Sequence, residues 1–328
     1  MALRKSASAP LSAIPKKATP TPRPQAKPNK ASPKIDIHLG DCLHVLQELP
    51  ENSVHLVVTD PPYFLHNLDS DWDSVKISNG FKQAKTIKNL PAGMKFDIAQ
   101  ADRLREFYAL VAQEVRRVLV PGGFFLSFSQ PRLSFATAQA VHESGFEVRD
   151  IYTWHYTTKS QFKAFSQDHF IDRMKISARE KTKIKASMQG RKTPQLRPLS
   201  ELIVMAQKPK EGTFVENWRK WGVGLIDATQ RLDGGIPSTV MEVEPATIMT
   251  VEKSVRDKYN GHLTVKPVRL MEHLIRVFSC EGQTVLDPFL GSGTTAIAAR
   301  RANRNCIGIE INPSYIEIAE QRIREAVA

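Results

Sequence analysis

From Ile35 onward the chain alternates short apolar runs with longer stretches of helical period. The runs are IDIHL (35–39), VHLVVT (54–59), GFFLSFS (123–129), FEVRDIYTW (146–154), LIVMAQ (202–207), TVLDPF (284–289) and NCIGIEI (305–311). Helical spacing of apolar positions marks stretches near 42–49, 101–119, 131–144, 267–279, 294–302 and 313–326. Most of the strand-like runs are continuously apolar rather than alternating, which is what burial on both faces of a sheet requires. Strands that alternate with helices of about ten residues or more predict a doubly wound, mostly parallel α/β sheet. Between about 157 and 260 the alternation lapses apart from the run at 202–207, so this region reads as insertion and loop.

Charge sharpens that picture. The 328 residues carry a net charge of +12. Residues 1–34 contribute +8 without a single acid and residues 157–197 another +8, so the rest of the chain carries −4. A mildly acidic body with two basic concentrations is the electrostatic footprint of a polyanion binder. The first 34 residues hold seven prolines and no apolar period. Such a stretch cannot bury enough surface to offset its ordering entropy, so a disordered tail is expected, either touching nucleic acid loosely or without a role. It lacks the apolar core of a secretory signal, and no run in the chain approaches a membrane span. Cys42, Cys280 and Cys306 share no disulfide or metal-ligand spacing, and the histidines show none either. These features predict a cytoplasmic, nucleoid-associated protein without a bound metal.

Two junctions carry candidate chemistry. LDPFLGSGTTAIAA (286–299) sets Gly291 and Gly293 between a strand and a helix, where paired glycines allow a tight turn and close approach of amides to a ligand. A triphosphate-binding loop needs Gly-Lys-Ser/Thr at this point, and the chain has Gly293-Thr294-Thr295 instead. Glu310 ends the next strand nineteen residues after Gly291, where an acid can take both hydroxyls of a ribose. A helix-packing glycine pair beside a strand-end acid is the plainer alternative. Asp287 puts a carboxylate where an ammonium group can bind, and Asp41, in HLGDC (38–42), can accept a hydrogen bond from an adenine amine or simply cap a helix. Ribose, ammonium and adenine contacts together describe S-adenosylmethionine better than a dinucleotide.

The other junction is VVTDPPYF (57–64), an apolar strand that ends in an acid, two prolines and an aromatic. Its DPPY (60–63), followed by GHLTVKP (261–267), DPFLGSGTT (287–295) and GIEIN (308–312), with LGD at 39–41 and PGG at 121–123, resembles the beta class of DNA amino-methyltransferases. The resemblance covers about residues 35–328 and rests on the order of the motifs: catalytic motif first, basic insert next, cofactor loop last. It implies a Rossmann-like, S-adenosylmethionine-dependent methyltransferase fold that is circularly permuted. The strand bearing the adenine-side acid then opens the folded region instead of following Glu310, so it should lie beside the C-terminal elements. On the cofactor side the resemblance also implicates Cys42, Lys266, Pro267, Phe289, Ser292, Thr294 and Asn312; Lys266 is alternatively a phosphate contact.

An exocyclic amine is a poor nucleophile because its lone pair is delocalised into the ring, so it must be reshaped and aimed at the methyl group. Asp60 can accept one N–H and the Pro61 carbonyl the other, while Pro61 and Pro62 stiffen the corner and Tyr63 offers a stacking face. A paired base hides its amine, so the target must be flipped out of the duplex. The bland alternative is a strand running into a proline turn. Trp72 either covers the base pocket or is an ordinary half-buried Trp, and 75–98 reads as a lid. Within 157–260, the expected target-recognition insert, Lys159, Lys163, Arg173, Lys175, Lys181, Lys183, Lys185, Arg191 and Lys192 are interleaved with aromatics, which suits phosphate contacts and stacking. A solvated charged helix at 171–187 and a rigid connector at 191–198 are the alternatives. The expected partner is double-stranded DNA, with a cognate restriction endonuclease as a further one, and the protein is expected to be a monomer or homodimer away from membranes. DPPY tilts the target toward N6 of adenine. N4-cytosine methylation, RNA adenine methylation and an inactive nucleic-acid-binding adaptor remain as other readings.

Overall fold

A computed structural model of the chain describes residues 32–62, 99–155, 164–194, 196, 199–232, 236–242 and 265–326. Tyr63, Trp72, the segment 75–98, Lys159, Lys163, the GHLTV part of the 261–267 motif and nearly all of the N-terminal tail lie outside the described residues.

The strands are β1 (Ile35–Leu39), β2 (Val54–Thr59), β3 (Leu119–Ser129), β4 (Glu147–His155), β5 (Ser200–Gln207), β6 (Val240–Glu242), β7 (Thr284–Asp287) and β8 (Asn305–Glu310). They form one eight-stranded sheet in the order β1-β8-β7-β2-β3-β5-β4-β6. Every described pairing is parallel except those made by β5, which runs antiparallel to both β3 and β4. The expected doubly wound, mostly parallel sheet is present. β1 pairs with β8 from Ile35 opposite Cys306 to Leu39 opposite Glu310, so the first described strand and the last lie side by side.

The apolar runs form central strands because both of their faces are covered. All eleven residues of β3 are buried. Leu56, Val58, Phe124, Leu126 and Phe128 face a layer made by α7 (Val268–Phe278), α8 (Thr294–Arg301) and α9 (Pro313–Glu325). Val54, Val57, Leu119 and Phe125 face the opposite layer of α1 (Cys42–Glu48), α2 (Ala99–Val118) and α3 (Ser134–Glu143). Side chains alternate between the two layers along each strand, and each buried Phe or Leu contributes about 2–3 kcal/mol through area removed from water.

The region from 157 to 260 holds more regular structure than its pattern suggests. Helices α4 (Asp168–Arg173) and α5 (Ala178–Ser187) form an excursion closed at its base, where Phe165 and Thr193 exchange hydrogen bonds of 3.1 Å. A further helix, α6 (Phe214–Trp221), packs on β3. Its fully buried Asn217 donates to the Pro121 and Val223 carbonyls and accepts from the Glu211 amide. This fixes a role for PGG. Gly122 has φ +81°, and a Cβ there would stand 2.3 Å from the Asn217 amide nitrogen.

Candidate active site at the carboxyl edge of the sheet

In a parallel sheet, ligands gather beyond the carboxyl ends of the strands. Four neighbouring strand ends meet there: Leu39 of β1, Glu310 of β8, Asp287 of β7 and Thr59 of β2. Asp60, Pro61 and Pro62 follow Thr59 directly, and Pro61 is buried. Strand order therefore brings the acid corner and the glycine loop together across 228 residues of sequence, and one bond joins them. Thr59 Oγ1 donates to Asp287 Oδ1 at 2.6 Å.

Asp287 is 3 % exposed and turned inward. Its carboxylate also accepts from Thr295 Oγ1 at 2.5 Å and from the Phe289 amide at 3.0 Å. It ties β2, β7 and the start of α8 into one piece, so three internal donors stand where an ammonium contact was expected. Burial pushes its carboxyl up to about 6, against the lowering effect of the two hydroxyls and the amide. A carboxyl raised above its ordinary value binds its proton more tightly in the native state than in the unfolded chain. The stability it contributes is therefore full at pH 4 and is lost as pH rises through 6. Asp287→Asn removes this dependence. Relative to the variant, the native protein is expected to be more stable at pH 4 than at pH 7.5 by about 3 kcal/mol, read by urea denaturation at both values. An equal difference at the two pH values would contradict a desolvated carboxyl.

The cofactor side is built around Glu310. Its Oε2 accepts from the Gly291 amide at 2.8 Å and its Oε1 from the Asn312 amide at 2.9 Å. Burial raises its carboxyl above the usual carboxylate range despite these bonds. Each oxygen keeps a second lone pair, so the group retains capacity for the two hydroxyls of a ribose. Gly291 and Gly293 have φ of +54° and +82°. The second glycine answers to the fold as well as to any ligand, because a Cβ there would stand 2.8 Å from Ala319 Cβ on α9.

The other cofactor-side residues have definite local partners. Asp41 caps α1 through the Leu43 amide at 2.8 Å and is exposed at the end of β1, beside Glu310. The Cys42 side chain is packed in the core, its thiol pushed up to about 12 by burial. Asn312 caps α9 through Ser314, and Pro267 stands at the N-cap of α7. Phe289 is half-buried against Phe107, with ring centroids 6.2 Å apart. Ser292 and Thr294 are held by Arg322 of α9, whose guanidinium donates to the Ser292 carbonyl and to both hydroxyls. Neither Arg322 nor Thr59 stood out in the sequence, since a threonine in an apolar run and an arginine in a C-terminal helix give no local signal.

Lys266 is placed against the acid corner. It is 7 % exposed, its ammonium bonds Asp60 Oδ2, and it lies 3.2 Å from Glu201 Oε2 at the start of β5. With its charge engaged by two carboxylates, it matches neither of the roles expected for it. Glu201 was missed, although an acid in an otherwise apolar strand was a visible irregularity.

Of the expected nucleic-acid contacts, Arg173, Lys175, Lys183, Arg191 and Lys192 are exposed on or near α4 and α5. Lys181 and Lys185 are half-buried and bond Asp172, through its carbonyl at 2.8 Å and its carboxylate at 2.7 Å.

Sheet order, the acid-proline corner and the strand-end glutamate define a methyltransferase-type α/β fold with its site at the carboxyl edge. The chain belongs to the N6/N4 DNA methylase family, whose model matches residues 54–321. S-adenosylmethionine is the cofactor of that family, and the ribose-ready Glu310 beside the Gly291 turn fits it. Type II methyltransferase M.HindIII of Haemophilus influenzae is 29 % identical over 302 residues, which are 88 % of this chain and 94 % of that protein. Type II methyltransferase M.HpaI of Haemophilus parainfluenzae is 25 % identical over 286 residues, 87 % of this chain and 72 % of that one. The structure of PvuII DNA methyltransferase (cytosine-N4-specific) shares the fold, with a TM-score of 0.56 at 17 % identity, covering 90 % of this chain and 94 % of that one.

Proposed function

We propose that this protein is a site-specific DNA methyltransferase of the circularly permuted beta class that methylates N6 of a flipped adenine. The observation that carries the reading is the tie between the two halves of the site. Thr59 and Asp287 join the strand end that bears Asp60-Pro61-Pro62 to the strand end that opens the cofactor loop. S-adenosylmethionine, when bound, supplies a methyl group on a sulfonium. Glu310 would hold its ribose, Asp41 is placed for the adenine amine, and the loop 291–293 would lie against it. Asp60 and the Pro61 carbonyl accept the two N–H groups of the target amine and turn its lone pair toward the methyl carbon. The nitrogen forms its bond to that carbon as the carbon–sulfur bond breaks, the electron pair staying on sulfur, and the nitrogen then gives up a proton to water. Tyr63 serves as the stacking face.

The beta-class resemblance favours adenine, since enzymes of that pattern that act on N4 of cytosine often carry serine in the place of Asp60. The Type II names of the relatives support site specificity and make a paired restriction endonuclease the corresponding partner. The exposed cations of α4 and α5 support the segment 157–260 as the DNA-contacting insert. Lys159, Lys163 and the basic tail 1–34 belong to the same proposed surface.

The deciding experiment supplies tritiated S-adenosylmethionine with unmethylated duplex DNA or matched RNA, then digests the product to nucleosides. Label in N6-methyladenine from DNA is expected. Label in N4-methylcytosine or in RNA would replace the target named here, and no incorporation into either would overturn the reading.

A further inference from the structure

Amine alignment alone does not require the charge arrangement at the acid corner. Lys266 is buried, its ammonium bonds Asp60, and it also stands 5.1 Å from the centroid of the Phe128 ring. Its second carboxylate comes from Glu201, the second residue of β5. Because β5 alone runs against its neighbours, its amino end reaches the edge where β2 and β3 deliver their carboxyl ends. Glu201 Oε2 is shut off from solvent and takes no well-aligned hydrogen bond among the described residues, so the lysine charge at 3.2 Å is what answers it. Burial favours the neutral form of Lys266, but Asp60 and Glu201 outweigh it and hold the group protonated.

One cation shared by two carboxylates leaves the cluster with a net charge of −1. A lysine paired with Asp60 alone would leave it neutral. We propose that Glu201 is a positioning residue that shares Lys266 with Asp60, so that the lysine fixes the orientation of Asp60 without cancelling its charge. The surplus negative charge faces the nitrogen as it becomes cationic on forming its bond to the methyl carbon, before the proton leaves to water. An interaction that strengthens only as that charge develops raises kcat and leaves binding alone. The inference rests on Asp60 being the amine acceptor, as read above.

The test is steady-state methyl transfer to unmethylated plasmid DNA by Glu201→Gln, Lys266→Arg and Lys266→Met, with thermal melting of each variant. Glu201→Gln, which keeps the shape and removes the charge, is expected to lower kcat by about tenfold. Its KM for DNA and for S-adenosylmethionine should stay within about twofold, and its Tm should hold. Lys266→Arg should keep far more turnover than Lys266→Met. If Lys266→Met does not fold, Glu201→Gln decides alone. Native kcat in Glu201→Gln, or a loss that merely follows a fallen Tm, overturns the inference. Asp60→Ala separates the two readings: full turnover there defeats Asp60 as acceptor, whereas an inactive Asp60→Ala beside a fully active Glu201→Gln defeats only the role given to Glu201.

Discussion

Asp60→Ala is expected to lower the rate of methyl transfer by about a thousandfold, or some 4 kcal/mol, while S-adenosylmethionine binds within about a few-fold of its native affinity. The first half follows from what the carboxylate does. It is a charged acceptor at the nitrogen that reacts, and alanine leaves only the Pro61 carbonyl to hold the amine. The second half follows from where the cofactor contacts are. Gly291, Asn312 and Glu310 bond one another on β8 and its flanking loops, and no described contact among them passes through Asp60. Lys266 keeps Glu201 as a partner after the substitution, so the variant does not strand a buried cation. Single-turnover kinetics and cofactor titration calorimetry measure the two halves separately. A collapse of cofactor binding would show that the corner and the loop are not divided as described.

Gly293→Ala is expected to cost about 3 kcal/mol of stability and to lower Tm by roughly 5–10 °C. Two effects add. The residue sits at φ +82°, where a side chain is strained, and its new Cβ would stand 2.8 Å from Ala319 Cβ and 3.0 Å from Ala319 Cα. Helix α9 would have to retreat from the loop, taking with it Arg322, which bonds the Ser292 carbonyl. Calorimetry of Gly293→Ala alone and with Ala319→Gly tells the two effects apart. The second substitution relieves the clash and leaves the backbone strain, so about half of the loss should return. An unchanged Tm in the single variant would contradict the packing seen here.

Most of the sheet was legible because its strands are buried on both faces and therefore read as unbroken apolar runs. β1 and β2 have the bounds their pattern gives, and the flanking helices differ from theirs by a few residues at each end. Helix α6 was missed despite a complete local signature. Thr213 and Glu216 form a capping box and Gly222 closes the C-terminus in the left-handed region. Only its apolar face is short, since its anchor is the polar Asn217. β6, three residues long, offers too few positions for any period. Asp60, Asp287 and Glu310 could be picked out because each stands at a strand end. What each one bonds could not, since Thr59, Glu201 and Lys266 reach them from distant parts of the chain. The same limit applies to Gly293, whose freedom from a side chain looks like ligand access in one dimension and is helix packing in three.

The pairing of β1 with β8 also sets a timetable. Ile35 waits for Cys306, a partner made 271 residues later. At about 5–20 residues per second, a ribosome spends roughly 15–50 seconds with that strand unpaired and its edge open to association. Glu310, the acid that would receive the ribose, is also among the last residues made. The acid corner can therefore take shape on β2 and β3 well before there is a completed cofactor site beside it. A nascent chain would hold the grip for a base long before it could modify one.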